Sequence, residues 1–377
     1  MNDASAVSGF PERCVPDGVP RVGFFPDVKD HGGKPWPEDF IFPSCLRAIL
    51  EYHGDTTNDY VRLMGVSGGA FFLNWGGWEG DNAALYYMSA DLGALFSHTF
   101  QAIGYPSQAA PCGKPGEHAQ AIREMVLWEI NAGRPCLAHG VVGPPETSLI
   151  TGYDEGGDVL IGWSFFQAEQ GAKEILEFEP SGYFRKRNWE PETWDAMTVG
   201  PRESEPDRKE TFRKALEWAL TVVRTPRTFQ DRPNGIAAFD AWIEHLGRDE
   251  EIAHWRAGDS SVHPFDAQRD ATDGIAEGRW YASRFLVREA PECMPYQASH
   301  LYAAASCYAR EHELVWEVWC HEGGMDRGAE TMAQFLDPQV RRRSIALIEQ
   351  ARDLDAQAAD HVEAALHAAQ GTLGAPE

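Results

Sequence analysis

The chain has 377 residues, 43% of them hydrophobic and 11% aromatic, enough to bury a full core and to divide into two domains. Its formal charge of −25 repels phosphate backbones and anionic lipid, which makes nucleic acid and membrane surfaces poor partners. No apolar run approaches the roughly 18 residues of a membrane span, and the start, MNDASAVSGFPERCVPDG, lacks the basic opening and apolar stretch of a signal peptide, so a cytoplasmic setting is the default expectation.

The first marked element is a helix in FPSCLRAILEYHG (42–54). Ser44 suits the N-cap, Leu46, Ile49, Leu50 and His53 recur with helical spacing, and Gly54 suits the C-terminal cap. Cys45 then opens the helix, where the macrodipole and unpaired backbone N–H groups favour thiolate. The competing reading is a buried thiol that behaves as a small hydrophobe. Next comes MGVSGGAFFLNWGGWEGDNAALYYM (64–88), whose glycines permit turns and close backbone approach. It is a candidate cleft wall, in which Asn74, Trp75 and Trp78 either contact substrate or pack the core.

A second helix, HAQAIREMVLWEINAG (118–133), closes at Gly133. Strands are expected at 136–142, near 147–153 and at 158–166, joined by a Gly-Pro-Pro corner and a DEGGD hairpin turn into three adjacent antiparallel strands. Alternation places Glu146, Ser148 and Ile150 on one face of the middle strand and Thr147, Leu149 and Thr151 on the other. GYFRKRNW (182–189) is the one local basic cluster, either a dock for an acidic carrier protein or phosphopantetheine arm, or a solvated strand end.

From about Pro206 long helical patterns take over, among them KETFRKALEWALTVV, GIAAFDAWIEHLG and QASHLYAAASCYAREHELVWEV. The polar stretch 199–210 is the expected junction, giving an α+β domain over 1–200 and a helical bundle over 206–372. The bundle's amphipathic helices allow either a homodimer or a lid over the cleft. The seven cysteines (14, 45, 112, 136, 293, 307 and 320) are scattered without Cys/His pair spacing, so neither a structural metal nor a disulfide framework is expected, and no cofactor either.

A cysteine opening a helix, followed much later by a strand ending in TGYD and a hairpin, resembles the papain-like cysteine peptidase fold, with the bacteriocin-leader-processing branch near it. More narrowly, SCLRAILEYHGDTTNDYVRLMGVSGGAFF, GRPCLAHGVVGPPETSLITGYD, GIAAFDAWIEHL and YASRFLVREA are similar to the butirosin-biosynthesis acyltransferase family. The resemblance implies a papain-like α+β domain with an antiparallel sheet, followed by an all-α domain. It further implies a bacterial biosynthetic enzyme whose thiol takes an acyl group from a peptide bond or a carrier-protein thioester and passes it on. Cys45 matches that thiol, and the substrate would be a small-molecule or carrier-protein-linked acyl compound.

The pattern is broken at three places. Glu146 stands in PPETSLITGYD where the resemblance implies a histidine, Trp163 and Ser164 stand near the orienting position, and PED with Asp39 replaces the oxyanion-hole glutamine. His53 lies about 12 Å up the same helix from Cys45, too far to serve as base. His139 is the remaining local base, against the reading of a histidine satisfied within the sheet. Glu146 reads as a general base with a burial-raised pKa, as the partner of a cationic ligand such as an amine, or as an exposed corner residue. Trp163 and Gln167 complete the candidate substrate contacts. Two functions follow: a cysteine-dependent acyltransferase or amide/thioester hydrolase, or a non-catalytic ligand-binding or pathway-accessory protein on a papain-like scaffold.

Overall fold

The computed structural model describes residues 9–22, 38–78, 82, 84–89, 93–111, 114–168, 170–255, 263–324 and 329–372. The chain divides into two compact units, one of Met1–Tyr60 with Ile103–Glu205 and one of Val61–Ala102 with Pro206–Glu377. The later boundary falls at the expected junction, but the expected continuous domain over 1–200 is interrupted. Segment 61–102 belongs to the helical unit because its groups are satisfied there: Arg279 donates to the carbonyls of Ala70 and Phe72, and Trp218 Nε1 donates to Ser67 O at 2.8 Å.

Helices run in chain order α1 (Ile41–Tyr52), α2 (Tyr60–Ser67), α3 (Ala94–Ile103), α4 (Ala119–Asn131), α5 (Gln170–Ile175) and α6 (Arg208–Arg224). Then follow α7 (Ile236–Leu246), α8 (Asp249–Ile252), α9 (His263–Cys293), α10 (Ala298–His321), α11 (Ala329–Leu336) and α12 (Pro338–Thr372). The strands are β1 (Cys136–His139), β2 (Thr147–Asp154), β3 (Val159–Trp163), β4 (Glu177–Phe178), β5 (Phe184–Arg187) and β6 (Asp195–Met197).

The first unit is α+β, built on a six-stranded antiparallel sheet of order β4-β5-β3-β2-β1-β6. Strand alternation sorts its side chains. Cys136, Ala138, Ile150, Leu160, Phe184 and Ala196 face one way and pack with Ile122, Val126, Leu127 and Ile130 of α4. Burying a row of such aliphatic side chains at about 1.5–3 kcal/mol each holds helix to sheet. Leu137, His139, Leu149, Trp163 and Asp195 alternate to the opposite side, and α1 packs on β1 and β2. The β2–β3 turn matches its glycine-rich sequence: Gly156 (φ 65) and Gly157 (φ 99) take the left-handed conformations it requires.

The second unit is helical, with α10 packed along both α9 and α12. No helix among the described residues is long and apolar enough to cross a membrane.

Candidate functional site

Helix α1 starts earlier than its sequence suggests. Phe40 is the N-cap residue, and Ser44 lies inside the first turn, its N–H bonded to Phe40 O at 3.1 Å and its Oγ to Glu38 O at 2.5 Å. The physical reason is Pro43, which a first turn accommodates because its missing N–H has no intrahelical role there. Cys45 is therefore the fifth helical residue, past the turn where the macrodipole acts. The far end follows expectation. Gly54 (φ 80) donates to Glu51 O and Asp55 N to Leu50 O, a Schellman closure.

The sulfur of Cys45 is wholly buried, at 0% exposure. Burial pushes its thiol far up, the Glu146 charge pushes the same way, and Arg47 and the Leu149 backbone N–H pull back without prevailing. These influences favour the buried-thiol reading of Cys45 over a helix-start thiolate.

Opposite α1, register sets three side chains in one row: His139 of β1 lies between Thr147 of β2 and Asp195 of β6. His139 Nδ1 is hydrogen-bonded to Asp195 Oδ1. Burial presses the imidazole's pKa down, but the charge and hydrogen bond of Asp195, helped by Glu146, outweigh it and raise the net value. The partner at Nδ1 is a carboxylate of the kind that orients a catalytic base, while Nε2 is buried without a hydrogen bond among the described residues. Sequence reasoning missed Asp195. It sits 56 residues along the chain from His139, and its only local signal is the short β-type run WDAMTV.

Glu146 stands half-buried at the entrance of β2, its backbone pinned by Glu146 N to Pro144 O (2.6 Å) and Gly140 N to Glu146 O (3.1 Å). Its carboxylate charge acts on both Cys45 and His139, so sulfur, imidazole and carboxylate share one neighbourhood. Tyr183 borders the sulfur as well. Its hydroxyl donates to Pro20 O at 2.7 Å, and burial, with the sulfur's proximity, pushes it up to about 12.

The other expected contacts separate. Trp163 is the cross-strand neighbour of Leu149 and lies on the Cys45 side of the sheet. Gln167 is a loop tie, accepting from Ser164 N (3.1 Å) and donating to Gly182 O (3.0 Å). Asn74, Trp75 and Trp78 are interior groups of the helical unit. Asn74 donates to Thr228 Oγ1 at 3.0 Å, Trp75 stacks on Trp242 and donates to His245 Nδ1, and Trp78 packs edge-on against Trp75 and Trp255. Aromatic packing explains them. His53 sits at the α1 C-cap against Tyr52 and Tyr105.

The basic cluster is neutralised from within. Arg185 pairs with Glu179 and Asp154, Lys186 with Glu192, and Arg187 with Glu155. Among the described residues no group of three His, Cys, Asp or Glu side chains is arranged to hold a metal, and the described cysteines are all free thiols. Cys112 lies outside the described residues.

No family model matches the chain, and no curated protein matches it at a significant level. The reading of the site therefore rests on its own geometry.

Proposed function

We propose that the α+β unit is a cysteine-dependent acyl-handling enzyme, an acyltransferase or an amide/thioester hydrolase on a papain-like scaffold of the butirosin-acyltransferase kind. The observation that carries this reading is the His139–Asp195 hydrogen bond, on the sheet face that turns toward α1 and in the chain order cysteine, histidine, carboxylate.

The chemistry proceeds by general base rather than through a resting ion pair. With Nδ1 engaged by Asp195, the imidazole exchanges its proton through Nε2. As Sγ of Cys45 attacks the acyl carbonyl, its proton passes to His139. The C–S bond forms and the bond to the leaving amine or thiol breaks, with the leaving group taking the proton from His139. The acceptor, or water, then attacks the acyl-sulfur bond as the imidazole takes its proton, and Cys45 returns as a thiol. Glu146 disfavours thiolate and so keeps the sulfur protonated until the base removes its proton. Substrates are small-molecule or carrier-linked acyl compounds.

One observation favours a second reading, a non-catalytic binding or pathway-accessory protein: Cys45 is as fully covered as Cys136, an ordinary core thiol. A single experiment decides. Native protein is incubated with acyl thioesters of a pantetheine-like thiol and followed by intact mass and peptide mapping, with Cys45→Ser as control. Acylation of Cys45, absent from the variant, is the expected result. Absence of any adduct, together with alkylation of Cys45 no faster than of Cys136, sinks the enzyme reading, and ligand binding that survives Cys45→Ser then supports the second.

A further inference from the structure

The helical unit buries more carboxylate than it can neutralise. Arg279 of α9, Glu311 of α10 and Asp355 of α12 all have fully buried side chains. The guanidinium donates through Nε to Glu311 Oε1 (2.9 Å), through one terminal nitrogen to the carbonyls of Ala70 (3.0 Å) and Phe72 (3.3 Å), and through the other to Asp355 Oδ2 (3.2 Å). The remaining oxygens, Glu311 Oε2 and Asp355 Oδ1, are buried and have no hydrogen-bond partner among the described residues.

The charge count is short by one. Two carboxylates and one guanidinium leave a net negative charge inside a packed bundle, where uncompensated charge is expensive and the group neutralises instead. The titratable neighbours among the described residues offer no cation. Tyr308 and Cys307 on α10 are pushed upward by burial, burial pushes His312 of α10 down while it bonds to Ala276 O of α9, and the segment Gly69–Asn74 contains no titratable side chain.

We propose that the Glu311–Asp355 pair holds one bound proton at neutral pH, which makes the cluster a neutral latch between α9, α10 and α12 that loosens when alkaline pH removes the proton. Burial and mutual repulsion of the two carboxyls push Glu311 well above the usual carboxylate range, and Asp355 is pushed up too, against the opposing pull of Arg279. The sign follows. The folded state keeps a proton that the unfolded chain loses in the ordinary carboxyl range, so stability falls as pH rises from that range until the folded cluster ionises.

Glu311→Gln tests this, because glutamine is the neutral near-isostere of a protonated glutamate. In the full-length protein, hydrogen-exchange protection of α10 and α12 peptides is compared between wild type and variant from pH 6 to 9. The expected result is greater protection in the variant, with the gap over wild type growing about tenfold per pH unit from pH 6 upward until the folded cluster ionises, a difference of about one proton in the pH slope of opening. Lower protection in the variant by the same factor at every pH overturns the proposal, since it means that Glu311 is ionised and its loss merely breaks an ion pair. Should the variant not fold, infrared spectra of wild type at pH 9 decide. Asp273 and Glu322 of the same unit, pushed up to about 6 and about 7, are ionised there. A buried carboxylic-acid band is then expected at pH 9, and its absence overturns the proposal.

Discussion

Asp195 decides what His139 can do. Without that carboxylate, burial, the largest influence on the ring, is opposed only by the smaller pull of Glu146 and lowers its pKa, whereas the paired ring is raised. A raised histidine stabilises the fold fully below its unfolded value and loses that contribution as pH rises through the folded value. Asp195→Asn is therefore expected to move the His139 titration, followed by NMR of its ring protons, below the model-peptide range of about 6.5. It also reverses this residue's contribution to stability, so that acid becomes destabilising. Acyl transfer through Cys45 should fall about 10²–10⁴-fold, as when general-base catalysis is lost. An unmoved ring titration would mean that the pair is not coupled in solution. Cys45, His139 and Glu146 drew attention in the sequence because each sits in or beside a patterned element. Asp195 was not, because its pairing is a property of sheet order: β6 returns to the edge beside β1 across several intervening strands.

Elements were more legible than their edges. The three-strand antiparallel run, the DEGGD turn, α4 and the Gly54 cap all formed as their patterns imply. The strands expected at 136–142 and 158–166 stop at His139 and Trp163, and the start of α1 was misplaced by reading Ser44 as its cap. A proline in the first turn is a helix-compatible residue, and that difference moved Cys45 out of the dipole's reach. Two glycines of this unit separate conformational from steric demand. At Gly54 (φ 80) an added Cβ meets nothing within 4 Å, so Gly54→Ala is expected to cost about 1 kcal/mol through backbone strain alone. At Gly162 the added Cβ would lie 2.4 Å from the backbone oxygen of Leu149. Gly162→Ala should therefore distort the β2–β3 pairing and destabilise by several times as much, about 3 kcal/mol or more. Urea denaturation of both variants checks the order, and equal losses would contradict it.

At the scale of the whole chain, the missed feature was discontinuity. A polar, proline-bearing stretch at 199–210 announces a boundary by composition, whereas the crossings near residues 60 and 102 fall within helices α2 and α3 and leave no compositional mark. Segment 61–102 supplies what residues 206–377 lack. Arg279 loses the carbonyls of Ala70 and Phe72 without it, Trp218 loses Ser67 O, and Thr228 loses Asn74. The backbone links Gly235 N to Leu73 O (2.9 Å) and Trp75 N to Pro233 O (3.0 Å) disappear as well, and Phe285 loses the flat seat where Gly65 admits its ring. A buried guanidinium nitrogen that loses both its carbonyl acceptors and an indole stripped of its carbonyl each cost about 1–3 kcal/mol, and together they reach the low end of the stability of a domain this size. Residues 206–377 expressed alone should therefore lack fixed tertiary packing, seen as a weak near-UV circular dichroism signal from their tryptophans and a broad profile on gel filtration. A fragment of residues 61–377 carries the missing groups and should show a sharp near-UV spectrum and cooperative melting. If 206–377 alone melts cooperatively with the same near-UV signal, the contacts made by 61–102 are dispensable and the division of the chain proposed by its packing is wrong.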